Sequence, residues 1–251
     1  MHGHYEHLAA AYDTHWSYRP GYVGWMAGRI AEALSLSSED RMADIGCGTG
    51  LFTREVARMV APRRRILCVD PSEAMLGQLD ETDPGLLPVH ASAEDIADGH
   101  IQLPYGQLDA VWFKESVHHL PDSRRTLAGV ARLLAPRGRI LIAMLPATIE
   151  YPLFPAALKR YEELQPDPIA IADSLRDAGM RVAVKHVEHE LRLDRDRYLG
   201  MVRSRYMSVL STFTESELDR GIEEMRSAHP EDVLVFPDRF AFVLGSRSDI
   251  Q

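Results

Sequence analysis

The feature that most constrains this chain is the run Asp-Ile-Gly-Cys-Gly-Thr-Gly at residues 44–50. Behind it, apolar residues recur at helical spacing, at Phe52, Val56, Met59 and Val60. A strand that turns through glycines into a helix exposes backbone N–H groups at the helix N-terminus, where an anionic group can bind. The next strand ends at Asp70, whose carboxylate can accept hydrogen bonds from both hydroxyls of a ribose. The pattern therefore predicts a nucleoside site on an open parallel sheet.

The spacing of the glycines argues against a dinucleotide. A dinucleotide loop needs G-x-G-x-x-G or G-x-G-x-x-A, whose last small residue lets helix and strand pack closely around a pyrophosphate. Counted from Gly46, that position holds Leu51, which is too large. The loop instead resembles motif I of the class I S-adenosylmethionine-dependent methyltransferases, in the form D-x-G-x-G-x-G, as in the type 11 and UbiE-like small-molecule enzymes. The resemblance implies S-adenosyl-L-methionine as the cofactor.

The resemblance covers roughly residues 5–146 and implies an α/β fold. The implied fold is a Rossmann-like, seven-stranded, mostly parallel sheet with helices on both faces. Residues 1–36 are expected to form an N-terminal helical cap over the cofactor, and residues 37–251 the methyltransferase domain. Residues 195–230 are expected to form a helical lid inserted between the last two strands. Apolar runs predict strands near residues 41–43, 66–69, 86–90, 109–113, 139–145, 181–193 and 239–245.

Helical patterns are predicted beside these strands. Apolar residues at helical spacing over 127–134 predict a helix that ends at the Pro-Arg-Gly of residues 136–138. In the insert, residues 198–213 form one broad apolar helical face. A capping box at Thr214 starts a second helix, which ends at residues 229–230.

The cofactor residues follow from the resemblance. In the family, the motif acid lies near the ammonium of the cofactor, and an acid in an A-E-D segment, here Glu94, lies beside the adenine. Residues 12–22 resemble the Y-D … R-P-x-Y segment of small-molecule methyltransferases, in which Arg19 would clamp the carboxylate. The alternatives are that the aromatic residues of the cap only pack on the sheet and that the A-E-D segment is a solvent-facing loop. The expected cofactor residues are Tyr12, Arg19, Asp44, Gly46, Cys47, Gly48, Asp70, Pro71, Ser72, Met75, Ala93, Glu94 and Lys114.

Two adjacent histidines follow the fourth predicted strand, at the sheet edge where substrates bind. His118 and His119 are the best bases available there at neutral pH. The H-x-P-D segment resembles family members in which this histidine faces the substrate, which favours His119. The other histidine is then expected to pack or to cap the next helix. No metal is expected, because no cysteine or carboxylate joins the pair at ligand spacing.

The remaining candidates concern the methyl acceptor. Glu115 and Tyr151 are expected to orient the nucleophile. Arg205 lies at the edge of the apolar face of the insert, where it either reaches water or faces an anionic substrate group. The expected substrate contacts are Tyr18, Glu115, Tyr151, Arg205 and Tyr206.

Composition limits the partners. The net charge of −9 and the scattered basic residues argue against nucleic acid. Two cysteines form no disulfide framework, so a cytoplasmic location is expected. No apolar run reaches the roughly 18 residues of a membrane span, and the N-terminus does not resemble a signal peptide. We expect no membrane partner and a monomer or homodimer.

The favoured function is therefore transfer of a methyl group from S-adenosylmethionine to a small molecule, with natural-product tailoring as the favoured setting. The alternatives are a non-catalytic S-adenosylmethionine-binding partner subunit and a quinone-, lipid- or RNA-directed methyltransferase. A nicotinamide-dependent oxidoreductase is disfavoured by Leu51. The acceptor atom stays open, because this fold serves oxygen, nitrogen, carbon and sulfur nucleophiles.

Overall fold

The structure is a computed structural model that describes residues 21–79 and 83–247. The chain divides into two compact units. The first, here called the sheet unit, contains described residues 21–144, 168–185 and 241–247. The second unit contains Leu145–Asp167 and His186–Phe240.

Seven strands form one sheet in the order β3-β2-β1-β4-β5-β7-β6. Pairing is parallel from β3 through β5, whereas β7 runs antiparallel to β5. The prediction of a seven-stranded, mostly parallel α/β fold is therefore confirmed. The strands are β1 Met42–Ile45, β2 Ile66–Asp70, β3 Leu86–His90, β4 Leu108–Lys114, β5 Leu134–Met144, β6 Arg181–Asp194 and β7 Val233–Ser246.

Helices alternate with the strands, as expected for parallel crossovers. Short 3₁₀ turns lie at Val117–His119 and Ser208–Thr212. The α-helices of the described residues are α1 Tyr22–Leu34, α2 Leu51–Val60, α3 Glu73–Leu76, α4 Ala93–Ala97, α5 Ser123–Arg132, α6 Pro155–Leu164, α7 Pro168–Asp177, α8 Arg195–Arg203 and α9 Glu215–Ala228.

The two faces of the sheet carry different residues, because side chains alternate along a strand. One face includes Val69 and Val111, which belong to a hydrophobic core shared with α4, α5 and α7. By the same alternation, Asp44, Asp70 and Lys114 lie on the opposite face, each at or near the carboxyl end of its strand. Side chains of α2 contact this second face at Asp44 and Lys114. The fold therefore gathers three charged groups beside α2.

One helix boundary in the sheet unit differs from its prediction. Helix α5 ends at Arg132, and Leu134 already belongs to β5, where it pairs with Leu108. The prediction of a helix that ends at residues 136–138 is therefore wrong. A buried leucine satisfies helical spacing and strand burial equally well, so periodicity does not locate this boundary.

In the second unit, the insert between β6 and β7 is helical, as predicted, but it is not one continuous helical face over 198–213. Helix α8 ends at Arg203, Arg205 has a φ of 59°, and a 3₁₀ turn follows. The capping box predicted at Thr214 is confirmed, with Glu217 as its partner. Helix α6 was not predicted; it begins at Pro155, whose fixed φ suits the first helical turn. The role of the insert as a lid stays a prediction, as do the domain boundaries.

Candidate functional site

A cavity of about 320 Å³ lies within the sheet unit, at the carboxyl ends of β1, β2 and β4. Every predicted cofactor residue that the structure describes lines this cavity. Tyr12, Arg19 and the predicted substrate residue Tyr18 lie outside the described residues. The lining residues that were predicted are Asp44, Gly46, Cys47, Gly48, Asp70, Pro71, Ser72, Met75, Ala93, Glu94, Lys114, Glu115 and His119.

The glycine loop is held close to both neighbouring strands. The N–H groups of Gly46 and Cys47 both donate to the carbonyl of Val69, at 2.7 and 3.1 Å. Gly46 has a φ of 75°, and a Cβ there would lie 2.4 Å from the Cβ of Ser116. Only glycine therefore fits this turn, because a side chain would meet both backbone strain and a steric clash.

Asp70 fixes the other end of the loop. Its Oδ2 accepts a hydrogen bond from the Gly48 N–H at 2.8 Å, and its Oδ1 accepts one from the Ser72 N–H at 2.9 Å. The Gly50 N–H donates to the carbonyl of Cys47. The protein itself therefore uses the N–H groups of residues 46, 47, 48 and 50, and the predicted binding of an anionic group at the N-terminus of α2, which begins at Leu51, stays a prediction.

Asp44 lies at the floor of the cavity and is 3 % exposed. Its Oδ2 accepts a hydrogen bond from the Thr53 hydroxyl, while its Oδ1 has no hydrogen-bond partner among the described residues. Burial raises the pKa of Asp44 to about 7, although the Thr53 hydroxyl, the Trp112 indole and the charge of Lys114 act to lower it. Asp44 thus contributes a buried carboxyl group to the lining of the cavity.

Lys114 brings a buried cation to the same cavity. The residue is 9 % exposed, and its Nζ lies 4.3 Å from the centroid of the Phe52 ring. A cation over an aromatic face is stabilised by the ring quadrupole. Asp44 pairs with Trp112 in the β1–β4 register, so Lys114 lies two residues further along the same face of the sheet.

The loop after β4 forms the opposite wall. Glu115 lines the cavity with a φ of 53°, a strained conformation for a residue with a side chain. Its N–H donates to the carbonyl of Ala143 on β5, and the Ser116 hydroxyl donates to the carbonyl of Ile45 at the end of β1. These bonds hold the strained loop against both neighbouring strands.

The two histidines occupy a 3₁₀ turn, with ring centroids 4.0 Å apart. His119 lines the cavity, whereas His118 does not. Burial, together with the nearby His119 and Lys114, lowers the pKa of His118 to about 3, so its ring is neutral near pH 7. The expectation that one histidine faces the pocket agrees with this arrangement, and the catalytic role of His118 stays a prediction. The catalytic role of His119 stays a prediction.

Two predicted substrate residues, Tyr151 and Tyr206, belong to the second unit, and their contact with a substrate stays a prediction. Within that unit, the hydroxyl group of each tyrosine contacts another side chain. The Tyr151 hydroxyl donates to the buried carboxylate of Asp238. The Tyr206 hydroxyl lies 3.1 Å from that of Tyr198. The spacing of a tyrosine in the sequence can predict that its ring is buried, but it does not show which polar group forms a hydrogen bond with the hydroxyl.

Arg205 makes local contacts in the second unit. Its guanidinium donates to the carbonyls of Leu210 and Phe213 and pairs with Glu215 at 3.1 Å. The side chain therefore satisfies backbone acceptors around the 3₁₀ turn of the second unit. Its position at water or at an anionic substrate group stays a prediction.

Several lining residues were not predicted. Most are neighbours of motif residues and carry no polar pattern of their own, so their proximity to the motifs was the available signal. They are Ile45, Thr49, Leu51, Phe52, Ser92, Phe113, Ser116, Leu120 and Pro121.

The described residues contain neither a membrane-spanning helix nor a cluster of metal ligands. Across residues 21–79 and 83–247, no helix combines the length and apolar character needed to cross a membrane. Within the same ranges, no three His, Cys, Asp or Glu side chains cluster as ligands for a metal ion.

Residues 43–142 match a family model described as a methyltransferase domain. This match agrees with the strand order and the glycine loop. The sheet unit thus matches a methyltransferase domain and shares the fold of class I methyltransferases.

The chain is similar to curated proteins whose names give different substrates. It is 31 % identical over 159 residues to a ubiquinone biosynthesis O-methyltransferase from Aromatoleum aromaticum, covering 57 % of this chain and 64 % of that protein. It is 29 % identical over 167 residues to 27-O-demethylrifamycin SV methyltransferase from Amycolatopsis mediterranei, covering 61 % of this chain and 58 % of that protein. The chain thus spans less than two thirds of the length of these curated relatives.

A solved structure shares the fold. Phosphoethanolamine N-methyltransferase 2 from Haemonchus contortus, in complex with S-adenosyl-L-methionine, aligns with a TM-score of 0.58 at 17 % identity. The alignment covers 89 % of this chain and 52 % of that chain.

Proposed function

We propose that this methyltransferase uses S-adenosyl-L-methionine and methylates a small-molecule acceptor. The observation that carries the proposal is the Oδ1 atom of Asp44, a buried acceptor without a partner among the described residues on the cavity wall. An unpaired buried carboxylate oxygen is costly, so the site favours a ligand that brings a cation or donor. The α-ammonium of S-adenosylmethionine has this chemistry, and the related Haemonchus enzyme binds that molecule.

The other lining residues fit the rest of the cofactor. Each carboxylate oxygen of Asp70 accepts one backbone hydrogen bond, and a carboxylate oxygen can accept more than one, so Asp70 suits a ribose hydroxyl. A Cβ at Gly48 would meet no atom within 4 Å, so the loop leaves open space at this point. Ala93 and Glu94 line the cavity after β3, where the adenine is expected.

S-adenosylmethionine, when bound, supplies a methyl group activated by a sulfonium centre. The protein's own task is to align the acceptor and, for a hydroxyl acceptor, to remove its proton. Alignment of two reactants contributes about 7–11 kcal/mol. His119 lines the cavity and is the proposed base, which takes the acceptor's proton on its imidazole and releases it to water.

We infer that the acceptor is a hydroxyl group of a natural product. The support is two curated relatives, one named a ubiquinone biosynthesis O-methyltransferase and the other a 27-O-demethylrifamycin SV methyltransferase. A hydroxyl also needs the base that His119 offers, whereas a sulfide or a neutral amine attacks without prior deprotonation.

The test combines binding and turnover. Calorimetry with S-adenosylhomocysteine is expected to show one site, and Asp70→Ala is expected to weaken binding about 100-fold or more, because it removes charge-assisted hydrogen bonds. Asp232→Ala is the matched control, because that side chain is 96 % exposed. Turnover is then measured as S-adenosylhomocysteine released with a panel of phenols and hydroxylated polyketides.

Each outcome has a distinct meaning. No binding of S-adenosylhomocysteine by the wild-type protein refutes the cofactor assignment. Binding without turnover on any acceptor favours the alternative of a non-catalytic partner subunit. Turnover on amines but not on hydroxyl compounds contradicts the proposed acceptor class only.

A further inference from the structure

The two cysteines of the chain, Cys47 and Cys68, lie next to each other in the sheet unit. Cys68 pairs with Asp44 in the parallel β1–β2 register, so its side chain lies on the face of the sheet that carries Asp44. Just beyond β1, the Cys47 N–H donates to the carbonyl of Val69, which brings the glycine loop against β2 beside Cys68. The two thiols form a hydrogen bond with each other. The fold therefore holds a pair of sulfur atoms together at the start of the glycine loop.

The two thiols differ in access. Cys47 is half-buried and lines the cavity, whereas Cys68 is 0 % exposed and belongs to β2, which lies between β1 and β3. A small reagent that enters the cavity would therefore react at Cys47 first, and Cys68 would then react with the modified Cys47. One accessible sulfur with a second thiol beside it is the arrangement that forms an intramolecular disulfide.

The surroundings of Cys47 disfavour its thiolate form. Burial, the contact with Cys68 and the charges of Asp44 and Asp70 raise the pKa of the Cys47 thiol well above its usual value. Because the thiolate is the nucleophile, oxidation is expected to be slow at neutral pH and faster at alkaline pH. The reduced pair also lacks the stabilised thiolate that makes some disulfides easy to reduce, so a disulfide would persist once it had formed.

A disulfide would change the shape of the glycine loop. The sulfur atoms of a disulfide lie about 2.05 Å apart, which is much closer than two hydrogen-bonded thiols, so the two side chains must approach each other. Strand β2 is paired on both sides, whereas Gly46 and Gly48 have φ of 75° and 57°, and glycine changes its backbone conformation at low cost. The loop would therefore move, and with it the Gly48 N–H that donates to Asp70.

We propose that Cys47 and Cys68 are a redox-sensitive pair, which a peroxide oxidises to a disulfide that lowers the affinity of the cavity for the cofactor. The effect on affinity rests on the proposed function, since the ligand concerned is S-adenosylmethionine, whereas formation of the disulfide does not. Coupling between two events at one site is reciprocal. A bound cofactor therefore holds the loop in its reduced shape and protects the two thiols.

The oxidation by hydrogen peroxide has two steps. The Cys47 thiolate attacks one oxygen of the peroxide, the O–O bond breaks, and the products are a sulfenic acid at Cys47 and a hydroxide ion that takes up the proton lost by Cys47. The Cys68 thiol then attacks this sulfur, the S–S bond forms, the S–O bond breaks, and the hydroxyl group leaves as water with the Cys68 proton. The net reaction oxidises both thiols to one disulfide and reduces one hydrogen peroxide to water.

The first measurement detects the disulfide in the whole protein, treated with hydrogen peroxide at mildly alkaline pH without added cofactor. Trypsin cleaves after Lys and Arg, so Cys47 falls in the peptide of residues 42–54 and Cys68 in the peptide of residues 66–114. Mass spectrometry is expected to find these two peptides linked after treatment and separate after reduction with dithiothreitol.

The second measurement links the disulfide to the cavity. Calorimetry is expected to show that treatment weakens the binding of S-adenosylhomocysteine about tenfold or more, and that dithiothreitol restores it. Saturation with S-adenosylhomocysteine before treatment is expected to slow the cross-link about tenfold or more, because the coupling is reciprocal.

Controls separate the disulfide from oxidation of methionine, which also lines the cavity at Met75. Cys47→Ser/Cys68→Ala keeps Met75 but cannot form the disulfide, so its affinity is expected to be the same before and after treatment. Dithiothreitol restores the disulfide but not methionine sulfoxide, whose repair needs a dedicated reductase. The cross-link and its reversal are measured on the wild-type protein, so they do not depend on the folding of a variant.

Four results would count against these assignments. Peptides that stay unlinked at every peroxide concentration refute the redox-sensitive pair. A linked protein with unchanged affinity shows that the disulfide does not control the cavity. An equal loss of affinity in the double variant assigns the effect to methionine oxidation. If the reduced wild-type protein does not bind S-adenosylhomocysteine, the proposed function fails, whereas the linked peptides still report whether the pair forms.

Discussion

Replacing Asp44 by asparagine is expected to make the protein more stable and to abolish its affinity for the cofactor. In the folded protein, burial raises the pKa of this carboxyl from 3.8 to about 7, so the folded state holds its proton more tightly than the unfolded chain does. A raised carboxyl pKa means that stability is greatest below pH 3.8 and is lost as the pH rises toward 7. Asparagine does not titrate, so the stability of the variant does not fall in this way as the pH rises.

The magnitude follows from the shift. The pKa rises from 3.8 to about 7, and at about 1.4 kcal/mol per unit this is about 4 kcal/mol of folding free energy lost between acid and neutral pH. Asp44 is 3 % exposed, so solvent does not screen the effect appreciably. The asparagine N–H group would be a buried donor without a partner, which costs about 1–3 kcal/mol at every pH. The net gain is therefore about 1–3 kcal/mol near neutral pH, and the variant is less stable in acid.

The assay is urea unfolding of both proteins at about pH 4, 6 and 8, with the difference in unfolding free energy plotted against pH. The other titratable groups are the same in both proteins, so their contributions to the pH dependence cancel in that difference. The expected curve changes by about 4 kcal/mol across this range, in favour of the variant at high pH. A difference that does not vary with pH, or that favours the wild-type protein at about pH 8, would show that Asp44 is not strained by burial.

Two further substitutions test the walls of the cavity. His119→Ala is expected to lower kcat about 10²- to 10⁴-fold while leaving affinity for S-adenosylhomocysteine unchanged, whereas His118→Asn is expected to change kcat little. Equal losses in kcat for both variants would contradict the assignment of the base. Gly46→Ala is expected to destabilise the protein by about 2 kcal/mol or more, because the new Cβ would lie 2.4 Å from that of Ser116 at a φ of 75°. Thermal melting measures this loss, and partial recovery in the double variant with Ser116→Gly would identify the clash as its cause.

Sequence predicted the parts of the fold that local pattern determines. The strand at residues 86–90 was predicted with its bounds, and the capping box at Thr214 starts α9 as expected. The glycine spacing placed Asp44 and Asp70 on one cavity, because both follow from the strand–turn–helix geometry of motif I. These features depend on contacts between residues that are close in sequence or joined by a single crossover.

The wrong predictions concern where helices end. One helical face was predicted over residues 198–213, but α8 ends at Arg203 and a 3₁₀ turn follows, where the carbonyls of Leu210 and Phe213 accept hydrogen bonds from the Arg205 side chain. The helix predicted to end at residues 136–138 ends at Arg132. A pattern of apolar residues carries no information on which polar groups pair.

The features of the sheet unit that are unfavourable for folding stability lie at the ends of two neighbouring strands. Asp44, near the end of β1, has a raised pKa and a buried carboxylate oxygen with no hydrogen bond among the described residues. Glu115, just after β4, has a φ of 53°, in the left-handed region. His118, a few residues later, is held neutral by burial. Folding alone would favour apolar residues at such positions, as at Val111 and Phe113 on the same strand. Each of these three unfavourable features lines or adjoins the same cavity. A bound charged ligand therefore explains all of them together, whereas a structural role would have to be found for each separately.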